Sequence, residues 1–126
     1  MKPTPVLTMN DYTILRKLVK NAKDATNIRE IALLTQELDR AIVNKENELD
    51  QAVIRINSYA TIEDIQSKQQ TKIQIVMPSK SNLKEGKISV LAPLSVAIIG
   101  FKENDQVEWL LPSGNKILKI IAVTNE

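Results

Sequence analysis

At 126 residues, with 43% apolar and 25% charged side chains, the chain has the composition of an ordinary globular protein. One domain is the default at that length, and two small units are the upper limit. Lys and Arg number 17 against 15 Asp and Glu, and a net charge of +2 gives no general electrostatic case for nucleic acid or an anionic membrane. The chain has no Cys and no His, which excludes disulfides, thiol nucleophiles, thiolate zinc sites and imidazole-based triads together. No apolar run approaches the ~20 residues of a membrane span, and Met1-Lys2-Pro3-Thr4-Pro5 lacks a signal-peptide core. The expectation is a cytoplasmic protein with no membrane contact.

In chain order, the first predicted element is a helix from Met9 to about Lys23. Thr8 can cap it, Asp11 stands at its third position, and Leu7 can pack on Tyr12 as a hydrophobic staple. Tyr12, Leu15, Val19 and Ala22 then recur at helical spacing, with Arg16, Lys17, Lys20 and Lys23 largely off that face. A second start signal lies at Asn27, with Glu30 three residues on as in a capping box. Ile28, Ile31, Leu34, Leu38, Ala41 and Ile42 extend a second stripe towards Leu49. The gap from Ala22 to Asn27 has room only for an antiparallel turn, so the reading is a short helical hairpin. Neither helix could stand alone in water. The pattern leaves open whether the hairpin projects or lies packed on the rest of the chain.

From Val53 the apolar period shortens. Predicted strands are Val53–Asn57, Lys72–Met77, Lys87–Leu91, Gln106–Leu111 and Lys116–Val123. All three glycines, Gly86, Gly100 and Gly114, lie in this half, and Lys84-Glu85-Gly86 and Pro112-Ser113-Gly114-Asn115 read as turns. Between the third and fourth strands, Pro93 at a first helical position and Gly100 just past the end frame a two-turn helix. An antiparallel sheet covered by one short helix makes the class α+β. The organisation is therefore a helical hairpin over 1–52 and a sheet domain over 53–126.

The catalytic inventory is thin. Glu63-Asp64 are adjacent carboxylates, read as solvated turn residues rather than an acid–base pair. Three isolated glycines make no phosphate loop, and Tyr12, Tyr59, Phe101 and Trp109 are too scattered for a base-stacking platform. Trp109 alternates with Val107 and Leu111, which places it in the core rather than on a ligand. No catalytic, cofactor-binding or metal residue is assigned, and no enzyme activity is expected.

Two stretches go further. Ile56-Asn57-Ser58-Tyr59-Ala60-Thr61-Ile62-Glu63-Asp64 resembles the opening strand and turn of the C-terminal domain of Gre transcript-cleavage factors. The run from Gly86 through Ser89, Ala92-Pro93 and Ala97 to Gly100 resembles that family's G-x-I-S, S-P and A-L-L-G segment, followed by Asn104-Asp105-Gln106-Val107 and Pro112-Ser113-Gly114. The likeness covers about residues 53–125 in order. Glu37-Leu38-Asp39-Arg40-Ala41 and the brevity of the hairpin are similar to the Rnk branch, regulators of nucleoside diphosphate kinase with a shortened coiled coil.

The resemblance implies an FKBP-like fold for the C-terminal half and docking on bacterial RNA polymerase near its secondary channel, with DNA contacted only through the polymerase. It implies no prolyl isomerase activity, because a fold alone does not carry one and the aromatics are few. In Gre factors the hairpin tip approaches the catalytic magnesium, where acidic residues help hold a second metal. Here the tip, Lys23-Asp24-Ala25, offers one carboxylate beside Lys, whereas a hard cation wants two close together. Ala92 stands where the family commonly has a Ser that can cap the short helix, so a side-chain acceptor is missing. That corner belongs to the docking surface in the family, and Ala92, Pro93, Leu94 and Ser95 are the partner-binding residues it implies. The expected role is a polymerase-binding regulator that competes with Gre factors without stimulating cleavage. The alternative is a stand-alone module for another partner such as nucleoside diphosphate kinase. Weak self-association through the hairpin is a further expectation.

Overall fold

A computed structural model describes residues 4–21, 28–45, 52–109 and 114–125. The chain opens with a short strand β1 (Val6–Thr8), helix α1 (Met9–Asn21), helix α2 (Ile28–Arg40) and strand β2 (Ile42–Asn44). It continues with β3 (Tyr59–Asp64), β4 (Gln70–Val76), β5 (Lys87–Ser89), α3 (Pro93–Ile98), β6 (Gln106–Trp109) and β7 (Lys116–Thr124). The α+β class is as the sequence predicts. The predicted tip, Lys23 and Asp24, and the capping residue Asn27 lie outside the described residues.

The start of α1 is built as its sequence signals. The Thr8 hydroxyl accepts from the Asp11 N–H at 3.1 Å, and Thr8 is fully buried. Leu7 enters the core rather than serving only as a local staple. The end of α2 differs from expectation. The helix stops at Arg40, and Ile42–Asn44 forms a strand parallel to β1, with Val6 opposite Ile42 and Thr8 opposite Asn44. The β-branched pair Ile42-Val43 takes the strand that β1 offers, a tertiary choice that overrides the predicted helical period at Ile42; the rest of that period, towards Leu49, lies outside the described residues. Because β1 leads into α1 and β2 follows α2, the paired strands bring the first turn of α1 beside the last turn of α2. The helices therefore run antiparallel, and Arg16 reaches Asp39 at 2.7 Å across them.

The main sheet has the order β5-β4-β3-β7-β6. Its pairs are antiparallel except β4–β5, which run parallel, with Gln74 opposite Lys87 and Val76 opposite Ser89. That edge departs from the all-antiparallel expectation because 3-10 turns at Pro78–Lys80 and Leu83–Glu85 carry the chain across. Gly86, at φ 74°, ends the second turn. The predicted strand Val53–Asn57 is also absent. Val53 makes a single bridge to Lys102, and the chain turns at Ile56-Asn57, with Asn57 at φ 77°. The first sheet strand begins two residues later.

One hydrophobic core joins both halves. Leu7, Leu15, Leu34 and Leu38 belong to the same buried cluster as Ile54, Ile62, Ile75, Phe101, Leu118 and Ile120. The helices thus lie on the sheet domain at this end, while Ile28 at the far end of α2 is 74% exposed. A buried carboxylate adds a polar tie, since Asp11 Oδ2 accepts from the Ile56 N–H at 3.1 Å.

Candidate partner-docking surface

The segment after β5 is a compact corner. The Ser89 carbonyl accepts from the Ala92 N–H and the Ser89 hydroxyl from the Leu91 N–H, both at 3.0 Å, folding the chain back before α3. Val90 is fully buried and ties to β4 through its N–H on the Val76 carbonyl. Ala92 is the N-cap of α3 in extended geometry, with no side-chain cap, and Pro93 follows at the first helical position. Val96 and Ile98 anchor the helix in the core. Gly100, at φ 84°, then turns the chain so that its carbonyl receives the Val6 N–H at 2.7 Å and its N–H reaches the Ile54 carbonyl.

The four residues singled out in the sequence are adjacent but not equivalent. Pro93 is exposed, Ala92 and Leu94 are half-buried, and Ser95 is fully buried with no hydrogen-bond partner for its hydroxyl. Ser95 therefore presents no surface to a partner, and of the four residues the sequence suggests for docking only Ala92, Pro93 and Leu94 have any exposure. Pro93 also borders a narrow cleft towards α2, beside Leu33, Val96 and Ala97. Sequence reading did not foresee that α2 and α3 share this cleft, because nothing local in either segment encodes it.

The missing cap is a testable feature of the corner. Ala92→Ser should supply an acceptor to the first turn of α3 and raise stability by about 1 kcal/mol in urea denaturation.

Elsewhere the carboxylates have structural roles. Glu63 and Asp64, adjacent in β3, project to opposite faces, so they form no pair. Asp64 Oδ1 accepts from the Gln66 and Ser67 N–H groups, and Oδ2 lies 3.5 Å from Lys116 Nζ. Partial desolvation pushes the Asp64 carboxyl up, but the Ser67 and Gln66 N–H groups and the Lys116 ammonium outweigh it and hold the carboxyl below its ordinary value. A depressed carboxylate contributes stability above its unfolded pKa, and that contribution is lost as pH falls through the lower, folded value. Asp64→Asn should therefore lose less stability than the parent between about pH 6 and pH 3, read as the shift in urea midpoint. Arg16 is held above its ordinary value by its bond to Asp39 and then by the Tyr12 hydroxyl, fixing the helix pair at the surface.

Residues 49–125 match the family described as Transcription elongation factor, GreA/GreB, C-term. The chain belongs to the GreA/GreB family. It is 32% identical over 93 residues to the transcription elongation factor GreA of Hyphomonas neptunium, covering 74% of this chain and 59% of that protein. To GreA of Neorickettsia sennetsu it is 39% identical over 70 residues, 56% of this chain and 44% of that one. The chain thus spans less than two thirds of the length of these relatives. A GreA/GreB elongation factor structure from Nitrosomonas europaea superposes with a TM-score of 0.78 at 27% identity, covering 98% of this chain and all of that one. The GreA factor homolog 1 protein of Thermus thermophilus, at 19% identity and a TM-score of 0.51, shares the fold.

Within this GreA/GreB member, the matched segment includes the whole main sheet and α3. Among the described residues no group of three or more acidic side chains is arranged to hold a metal ion. No helix among them is long and apolar enough to cross a membrane.

Proposed function

We propose that this protein is a cytoplasmic, non-enzymatic regulator that binds bacterial RNA polymerase near the secondary channel and modulates elongation. It docks through the C-terminal half, with Ala92 to Leu94 at the contact, and competes with Gre factors without stimulating transcript cleavage. The observation that carries the reading is the pairing of a GreA/GreB C-terminal match with short helices. α1 and α2 have 13 residues each, about 20 Å at 1.5 Å per residue. The Lys23-Asp24 sequence adds a second argument, since one carboxylate beside a lysine is a poor clamp for a hard cation. The likeness of Glu37 to Ala41 and the short helices support, in this reading, a member of the Rnk branch.

The test is a pull-down with core polymerase, followed by competition with a Gre factor and cleavage of a backtracked RNA. Binding, competition and absence of cleavage are the expected results. Asp24→Ala should leave binding within about twofold, because an exposed charge contributes little and salt screens it. Pro93→Arg should weaken binding about tenfold or more, since an unpaired guanidinium must be desolvated at the contact. Cleavage that disappears in Asp24→Ala would restore a catalytic tip. Binding unchanged in a folded Pro93→Arg variant would move the docking surface elsewhere. Absence of polymerase binding at micromolar protein would favour the second reading, a module acting on another partner such as nucleoside diphosphate kinase.

A further inference from the structure

The outer face of the main sheet carries a recess of its own. Ala60 and Ile62 enter the core, so strand alternation turns Tyr59 and Thr61 to the opposite side. There Tyr59 lies opposite Gln74 on one flank and Thr124 on the other, and Thr61 lies between Lys72 and Ala122. The small side chains of Thr61 and Ala122 leave a depression of about 220 Å³ beside Tyr59, bounded on the β4 side by Lys72, Gln74 and the turn at Gly86. Tyr59 is 44% exposed although β3 is the central strand of the sheet.

Charge restricts the occupant. Between Ile65 and Val90 the chain has five lysines and one acid, Glu85, so the remainder of the chain is net negative and the small overall charge conceals a local basic field. Lys87 pairs with that acid at 3.1 Å, while Lys72, Lys80 and Lys84 have no ion-pair partner among the described residues. Lysines on an edge strand can serve to keep other strands away, but Lys72 stands on β4, which is paired on both sides. Lys72 is also the diagonal neighbour of Tyr59, at a separation of about 7–8 Å, which suits a base on the ring and its phosphate on the ammonium. The Gln74 amide donates to the Asn57 carbonyl at 3.2 Å, leaving the Gln74 oxygen to accept from a base edge. An acidic peptide would use the lysines alone; a nucleotide uses the aromatic face as well.

We propose that this recess holds one base of a single-stranded nucleic acid, stacked on Tyr59 with its phosphate at Lys72. Lys84 and Lys80, in the crossover between β4 and β5, receive the phosphates that follow. The site shares no residue with the corner at Ala92 to Leu94 and does not rest on the polymerase reading.

The chain has two tyrosines, and Tyr12, under the Arg16 guanidinium, serves as the internal reference. The full chain is titrated by NMR at low salt with hexauridylate, with hexathymidylate and with hexaglutamate. Both oligonucleotides should give saturable shifts of the Tyr59 ring and of the Thr61 and Gly86 amides, with Tyr12 unmoved, because stacking and phosphate contact do not read the sugar. Hexaglutamate, which has no base to stack, should bind at least about fivefold more weakly. Tyr59→Leu should weaken oligonucleotide binding at least about fivefold, read from the amides, while Tyr59→Phe retains it. Lys72→Gln should weaken binding and lower the slope of log affinity against log salt by about 0.7. Unchanged amide signals across β6 verify folding, and Lys72→Gln decides alone if Tyr59→Leu does not fold. No saturable shift with either oligonucleotide, equal affinity for hexaglutamate, or unchanged affinity in either folded variant would each overturn the proposal. The assay contains no polymerase, so its failure leaves the polymerase reading standing.

Discussion

Gly100→Ala should destabilise the protein by about 2–4 kcal/mol, read from urea denaturation. Two independent effects add. At φ 84° an L-residue with a Cβ sits in the left-handed region at a cost of about 1–2 kcal/mol. The new Cβ would also lie 2.8 Å from Pro5 Cβ and 3.4 Å from Leu7 Cδ2. Pro5 is buried, with its ring fixed to the backbone, so it cannot swing aside as a flexible side chain would. The strain should fall on the Val6-to-Gly100 hydrogen bond, which closes β1 onto the end of α3. A loss below about 1 kcal/mol would mean that β1 gives way freely and adds little to the fold.

Leu34→Ala should cost about 3 kcal/mol, in the range measured when a fully buried leucine is truncated and the site collapses only partly. This variant also asks whether the helices and the sheet unfold as one unit. Leu34 belongs to the cluster that contains Phe101 and Ile120, so loss of helix and the change at Trp109 should occur at the same urea concentration. Two separated transitions would show that the helical pair melts independently despite the shared core. The same substitution would then lower only the first midpoint.

Much of this architecture was legible because its signals are local. Thr8 and Asp11 announced the start of α1, Pro93 and Gly100 bracketed α3, and Asn104 at φ 79° accepts the left-handed turn that its residue type allows. What escaped depends on partners distant in sequence. Ile42 to Asn44, predicted as a continuation of α2, became β2 because β1 lies alongside, and Val53 to Asn57 lost its ladder to the turn at Ile56 and Asn57. The parallel β4–β5 edge has the same character, since no dipeptide marks a crossover. Of the residues proposed for docking, exposure separates Pro93 from Ser95, and one turn of helix cannot be oriented from composition alone.

Strand β1 has a consequence for the order of assembly. Its two neighbours, β2 and the Gly100 corner, come from parts of the chain far apart in sequence, and each must be in position before β1 has a slot to enter. The loop entropy of joining such ends is met only after nearer contacts have formed, so local pairs such as β3–β4 and β6–β7 form early. The amino-terminal strand is then the closing piece, a latch that enters last and holds a helical unit against a sheet already formed.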